Sequence, residues 1–232
     1  MVKPEPAVVL MLVVGIPAVF AGLGYLIYRL VKKQESETKR LRTELGFQEE
    51  PERVEALIER MKTFYPGWDR FDRLENPYYK SELGYELHLF DLSFGKSPTR
   101  YDQALMISPD LKLPPFSMFP IPKVEGPGLL ASMANKYLTW QPGMRTKKAE
   151  FPDSPEFDAK YLVRGDDEAA LHVHFNAGRL SRLAEMSELE LAGNADGLLF
   201  TQRLLPSRSP LDLEGMQQLL EDARILHDVL KG

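Results

Sequence analysis

The stretch Leu83–Phe94 reads LGYELHLFDLSF, and its apolar side chains return at every second residue. This period is typical of a β-strand, in which successive side chains point to opposite faces of the sheet. The polar residues Glu86 and His88 share a face with Phe90. The pattern therefore predicts a strand that is exposed to water over part of one face.

Two hairpins extend the predicted sheet. Gly95-Lys96-Ser97-Pro98 has the composition of a turn, and the alternation of apolar residues resumes from Tyr101 to Ile107. A second turn is predicted at Gly193–Gly197, between two further short strands. Because hairpins join antiparallel strands, the predicted sheet is mainly antiparallel.

Other stretches carry weaker strand signals. Leu113–Pro122 contains four prolines, which cannot donate ladder hydrogen bonds, so we expect an edge strand or a packed extended segment. Trp68–Tyr79 shows no clear period and is predicted to be a connection. Phe157–Gly165 is predicted to contain a short strand, and Met144–Pro155 is predicted to be a loop.

Helical spacing of apolar residues predicts the helices of the chain. They are expected at Pro51–Phe64, at 129–137, from Asp166 or Asp167 to Phe175, around Leu180 and Leu183, and from Ser209-Pro210 towards the C-terminus. We therefore predict an α+β fold, in which an N-terminal transmembrane helix and stalk precede a mainly antiparallel sheet with packed helices.

A membrane span is predicted at Ala7–Leu30, AVVLMLVVGIPAVFAGLGYLIYRL. As a helix it would be about 36 Å long, enough to cross a hydrocarbon core of about 30 Å. Basic residues follow the span, so the positive-inside rule predicts a single-pass inner-membrane protein with its N-terminus outside and its C-terminal domain in the cytoplasm. The alternative is a signal peptide cleaved near Ala18–Ala21.

Five residues are predicted to anchor the span at the membrane interface: Tyr25, Tyr28, Arg29, Lys32 and Lys33. The tyrosine rings suit the headgroup level, and the long basic side chains reach towards it. The bilayer is therefore the first predicted partner, bound through residues 7–30.

The predicted domain organisation starts from this anchor. Residues 1–30 form the anchor, residues 31–50 a charged juxtamembrane stalk, and residues 51–232 a soluble α+β domain with one core in one or two lobes. Ala18 and Gly22 form a small-xxx-small pair, which would let two spans pack as a homodimer, although such pairs are frequent by chance.

Composition excludes several classes of function. The net charge is −5 and the basic cluster lies beside the predicted span, so the distal domain is acidic and offers no overall basic surface for nucleic acid. The chain has no cysteine, which excludes disulfides and thiolate chemistry. We expect no cofactor and no metal site.

The histidines are weak candidates for chemistry. His172 and His174 form an H-x-H pair, but helical spacing separates their side chains by about 200°, so they are not expected to share a metal ion. His88 and His227 stand singly on ordinary elements, and we interpret both as structural.

Carboxylates are the remaining candidates for catalysis. The chain has no nucleophile elbow, no zinc-protease motif, no P-loop and no dinucleotide fingerprint. Asp91 lies within an apolar strand, where burial would raise its pKa, and Asp102 lies on the return strand. They are the first candidates for a hydrolase-like enzyme, whereas an ion pair between Asp91 and Arg100 is the structural alternative.

The order of these features resembles a group of uncharacterised bacterial single-pass membrane proteins with a cytoplasmic domain of unknown function. The matching features are LGF at 45–47, LFD at 89–91, Tyr101 with Gln103, LPPF at 113–116, and Phe157 followed by Tyr161, Leu162, Gly165 and Asp167-Glu168 before Phe175. The resemblance implies that the hairpin and Phe157–Phe175 belong to one domain. It implies no activity and no site residue.

Together these observations predict a membrane-anchored cytoplasmic binding or scaffolding module that recruits a protein partner. The prediction depends on an anchor, an acidic folded domain and the lack of a recognisable catalytic motif. The alternative is a membrane-attached enzyme that uses Asp91 and Asp102.

Overall fold

The computed structural model of the chain describes residues 16–64, 71–94, 100–121, 147–186, 189–202 and 213–231. The chain divides into two units, Met1–Leu45 and Gly46–Gly232. In the first unit, helix α1 spans Ile16–Glu44. Ion pairs at i,i+4 spacing, such as Lys33 with Glu37 at 3.8 Å, lie on its exposed surface and support the helix.

The second unit contains the sheet and the remaining helices. Its strands are β1 (Gln48–Glu49), β2 (Phe71–Glu82), β3 (Tyr85–Phe94), β4 (Arg100–Ile107), β5 (Phe116–Pro120), β6 (Lys148–Ala149), β7 (Tyr161–Gly165), β8 (Leu189–Asn194) and β9 (Gly197–Gln202). Its helices are a 3₁₀ turn at Pro51–Arg53, α2 (Val54–Phe64), α3 (Pro155–Asp158), α4 (Glu168–His174), α5 (Ala177–Glu185) and α6 (Leu213–Leu230).

The nine strands of the described residues form one sheet in the order β1-β2-β3-β4-β9-β8-β5-β7-β6. Each of these neighbouring pairs is antiparallel. Both predicted hairpins are present, since β3 pairs with β4 and β8 pairs with β9, although the turn at 95–98 lies outside the described residues. The predicted α+β class with a mainly antiparallel sheet is confirmed.

The prediction of a connection at Trp68–Tyr79 is wrong from Phe71 onward, because this stretch forms most of β2. The pairing of β2 with β3 shifts register between Glu75 and Tyr78, and Asn76 at the shift has a φ of +51°. A bulge adds a residue to one strand, so side chains beyond it change face. The bulge therefore removes the period-two pattern on which a strand prediction depends.

The proline-rich segment is also placed differently from the prediction. Strand β5 lies inside the sheet, between β8 and β7. Its pairing with β8 ends at Met118, and Pro120 is the last residue of the strand. Pro120 pairs with Tyr161 at the end of the ladder with β7, and the other prolines of the segment lie outside β5, so none of them removes a hydrogen bond from the middle of a ladder.

Helices cover both faces of the sheet. On one face, Leu57, Met61 and Phe64 of α2 pack with Phe90 of β3 in one buried cluster. On the other face, the Tyr85 ring lies 4.9 Å from the imidazole of α6 residue His227. The predicted partial exposure of β3 is seen at Glu86, whose side chain is 44% exposed, whereas the next residue on that face is covered. His88, with 2% of its side chain exposed, is buried although it is polar.

Local capping explains where two helices start. Asp167 accepts a hydrogen bond from the Ala170 N–H at 3.0 Å and caps α4, as predicted. Asn176 caps α5 in the same way through the Arg179 N–H. The Pro51 helix start is confirmed, whereas Phe157 lies in α3 rather than in a strand. The helix at 129–137 and the start at Ser209-Pro210 lie outside the described residues.

Candidate functional site

The predicted interface anchors lie on α1. Tyr25 and Tyr28 are 62% and 58% exposed, and the Lys32 ammonium lies 5.9 Å from the centre of the Tyr28 ring. Residues 7–15 of the predicted span lie outside the described residues. Across the described part of the chain, no helix has both the length and the apolar composition that a bilayer crossing requires. Membrane anchoring therefore stays a prediction.

The structure brings the two candidate carboxylates into register. Asp91 of β3 lies directly opposite Asp102 of β4. The Asp91 carboxylate accepts a hydrogen bond of 2.7 Å from the Asn76 side-chain amide, at the bulge of β2. In the backbone register, Arg100 lies opposite Ser93 and not opposite Asp91. The hydrogen bond from Asn76 of β2 therefore fixes the position of the Asp91 carboxylate.

The H-x-H pair lies on a helix, as predicted, and its imidazoles have different surroundings. The His172 ring is exposed and lies 5.0 Å from the Phe151 ring. His174 is buried, with 9% of its surface exposed. Among the described residues, no group of three or more His, Asp or Glu side chains is placed to hold a metal ion.

A groove of about 840 Å³ lies on the surface of the second unit. We call it the α4 groove. It is lined by the β4–β5 loop, helix α4, the start of α5 and the β8–β9 turn through Ser108, Pro109, Leu111, Lys112, Leu113, Pro114, Ala169, Ala170, Val173, His174, Arg179 and Ala195. Its volume falls in the range of small-molecule sites in proteins.

A tight turn forms one wall of the α4 groove. The Leu111 N–H donates to the Ser108 carbonyl at 3.3 Å, and the Asp110 N–H donates to the Ser108 hydroxyl oxygen at 3.2 Å. Such a serine turn is typical of Ser-Pro-Asp sequences. The turn fixes the start of the loop, while Leu111 and Leu113 are buried and give the groove an apolar base.

The Ser108 hydroxyl also meets a buried histidine. It donates to the Gly84 carbonyl at 2.6 Å, and its oxygen lies 3.2 Å from His227 Nε2. With the hydroxyl proton donated to Gly84, the contact is satisfied when the imidazole carries its proton on Nε2 and donates to the serine oxygen. In that tautomer His227 is a donor to Ser108, which fits the structural role predicted for it.

Burial sets the charge state of His227. Burial, followed by the Lys231 ammonium, lowers the pKa of His227, whereas Asp228, Asp110 and the Gly84 carbonyl oppose the shift. No carboxylate of the described residues hydrogen-bonds this ring. The Ser108–His227 contact is thus a neutral link that ties the β2–β3 turn and the β4–β5 loop to α6.

Arg179 organises the far end of the α4 groove. Its guanidinium donates to the His174 carbonyl at 2.7 Å and to the Lys231 carbonyl at 2.6 Å, so it caps the C-terminal ends of α4 and α6. Nη1 of Arg179 also lies 3.3 Å from His174 Nδ1. Burial, then this guanidinium, lowers the pKa of His174 to about 4. The imidazole is therefore neutral at pH 7.

Comparison with known proteins finds no matching family model, no similar curated protein and no similar solved structure. Any assignment of function to this protein therefore depends on its own residues, here those of the α4 groove. Sequence reasoning did not single out Ser108, Lys112 or Arg179. The Ser-Pro-Asp turn was a local signal for Ser108, but no local pattern shows that residues of the β4–β5 loop and α5 line one surface.

Proposed function

We propose that the protein is a membrane-anchored binding module that holds its ligand or partner in the α4 groove. The observation that carries the proposal is the groove itself, with its apolar lining and its two cationic side chains, Lys112 and Arg179. A concave, mainly apolar site with a few fixed polar groups is the usual form of a binding site. The predicted span at 7–30 would place this site beside the cytoplasmic face of the membrane.

Photocrosslinking of the full-length chain in bacterial cells tests the proposal. Benzoylphenylalanine in place of Val173, which is 82% exposed on the groove rim, should form a defined adduct. The same probe in place of Leu83, which is 98% exposed outside the groove, is the matched control. Filling the groove with Ala170→Trp should abolish the adduct at position 173.

Equal adducts at both positions, or an adduct unaffected by Ala170→Trp, would reject the groove as the binding site. Anchoring is tested separately, because a chain held by residues 7–30 stays in the membrane fraction after an alkaline carbonate wash. Release of the full-length chain by that wash would reject the anchor and leave the binding site untouched.

A second candidate function is a membrane-attached, hydrolase-like enzyme. The observation that favours it is the backbone register, in which Asp91 and Asp102 are directly opposite residues of neighbouring strands. Paired carboxylates can divide the roles of acid and base. Hydrolysis of a generic ester or phosphate substrate that is lost in both Asp91→Asn and Asp102→Asn would support this function, whereas activity retained in both would reject it.

A further inference from the structure

The charge of the α4 groove is one-sided. Its lining contains the cations Lys112 and Arg179 and no aspartate or glutamate. Lys112 is exposed and forms no ion pair or hydrogen bond with a described residue. An unpaired cation at the edge of an apolar surface attracts an anion more strongly than it would in bulk water, because the local dielectric is lower.

Arg179 supplies the second positive charge in a fixed position. Its acceptors among the described residues are two backbone carbonyls and one imidazole nitrogen, none of which carries a net charge. These contacts hold the guanidinium without neutralising it. Guanidinium groups bind carboxylates and other oxyanions through paired N–H donors.

His174 adds a hydrogen-bond donor at the same end. Because an Arg179 N–H faces Nδ1, the imidazole proton resides on Nε2. Nε2 is buried and has no hydrogen-bond partner among the described residues. A buried donor without an acceptor is rare in folded proteins, so an acceptor-bearing molecule that reached this imidazole would satisfy its Nε2–H.

The rest of the groove is apolar. Leu111 and Leu113 lie at its base, two prolines flank them, and Ala169, Ala170 and Val173 present one side of α4. Val173 is a large apolar residue that is 82% exposed on this surface. An aliphatic or aromatic body bound here would cover Val173 and remove apolar surface from water.

We propose that the α4 groove binds a small amphipathic organic anion, a molecule with an apolar body and one carboxylate or similar oxyanion. The oxyanion lies near Arg179, Lys112 and His174, and the apolar body lies against Val173 and the loop. This inference rests on the proposed function and names the chemical class of its ligand.

Binding of 4-phenylbutyrate to the full-length chain in lipid nanodiscs tests the inference, with empty nanodiscs as the blank. Two isosteric probes separate charge from apolar contact: 4-phenylbutanamide, which is neutral, and 4-phenylbutylamine, which is cationic. We expect the carboxylate to bind at least about tenfold more tightly than the amide, as is usual for a charge-assisted contact. The amine should bind more weakly still.

Charge reversal at one exposed position locates the site. Val173→Glu and Val173→Lys leave the core unchanged because the side chain is exposed. They should differ by about tenfold in affinity for 4-phenylbutyrate, with the lysine variant tighter. Lys112→Gln should weaken binding about threefold, as expected for an exposed cation, whereas the exposed Lys147→Gln outside the groove should leave it unchanged.

The outcomes separate this inference from the proposed function. Equal binding of the acid, amide and amine, or no binding of the acid, would overturn the inference even where the Val173 crosslink supports a groove-binding partner. If 4-phenylbutyrate binds tightly and with equal affinity to Val173→Glu and Val173→Lys, the binding site lies elsewhere and the inference is overturned. Loss of the groove-specific crosslink together with loss of acid binding would overturn both.

Discussion

Acid should destabilise this protein in part through a buried histidine, His88. Its side chain is 2% exposed and packs 5.3 Å from the Tyr79 ring, with Nε2 lying 3.6 Å from the Glu86 carboxylate. Burial lowers the pKa of His88 from 6.5 to about 4, although Glu86 opposes the shift and Arg53 assists it. Burial prevails because a charged imidazole in this core loses its hydration.

The sign and size of the effect follow from linkage. Between pH 6.5 and pH 4 the unfolded chain binds a proton at His88 and the folded chain does not, so this contribution to stability is present above pH 6.5 and is lost as the pH falls. At pH 4.5 the loss is about 2–3 kcal/mol relative to pH 7. The free energy of unfolding of an ordinary domain is about 5–15 kcal/mol, so this loss is a substantial part of it.

Urea unfolding of the full-length chain at pH 7 and pH 4.5 measures the effect. We expect His88→Gln to lose about 2–3 kcal/mol less than the wild type between these two pH values, whatever its stability at pH 7. His172→Gln is the matched control, because the side chain of His172 is 44% exposed. The carboxylates common to all three chains cancel in the comparison.

An equal loss of stability in His88→Gln and the wild type would refute this reasoning. Direct titration of the His88 imidazole by NMR gives an independent check. A midpoint near 6.5 in the folded protein would show that the buried ring is hydrated.

Five further substitutions test the packing and the helix capping, and Lys62→Ala among them is an exposed control. Gly197→Ala should destabilise the fold by about 3 kcal/mol, because the residue has a φ of +145° and a Cβ there would lie 2.4 Å from the Met106 carbonyl oxygen. Gly178→Ala in α5 should instead stabilise the fold by about 0.5 kcal/mol, because the nearest atom to the new Cβ would be 3.5 Å away. Met61→Ala should cost about 2–5 kcal/mol as the fully buried side chain leaves a cavity, while the exposed Lys62→Ala stays within about 0.5 kcal/mol of the wild type. Asp167→Ala should cost about 1 kcal/mol through loss of the α4 cap. Chemical unfolding checks all of these, and a neutral result for Gly197→Ala or Met61→Ala would contradict the packing described here.

Local patterns were sufficient wherever one short stretch of sequence decided the outcome. The alternation in β3 and β4 predicted their pairing, and the Asp167 cap predicted the start of α4. Helical spacing of apolar residues also predicted the helix that starts at Pro51, and its Leu57, Met61 and Phe64 lie in the core. In each case the period of the backbone and the hydrogen-bonding needs of a helix end act over a few residues.

The same reasoning failed where distant segments set the environment. A bulge at Asn76 interrupts the alternation of β2. Strand β5 occupies the middle of the sheet because β8 pairs with residues 116–118, which contain no proline, while Pro120 lies at the end of the ladder with β7. His88 is buried because α2 covers a face that its own strand pattern marks as polar. These outcomes depend on long-range pairing, which a local period does not encode.

The sequence by itself determined the types of the main elements, their caps, the acidic charge of the distal domain and the exclusion of thiolate chemistry. The tertiary structure decided the strand order, the double cover of the sheet and the α4 groove. The physical reason is distance along the chain: periodicity and capping are properties of neighbouring residues, whereas Lys112, His174 and Arg179 line one groove because the sheet carries their separate segments to the same place.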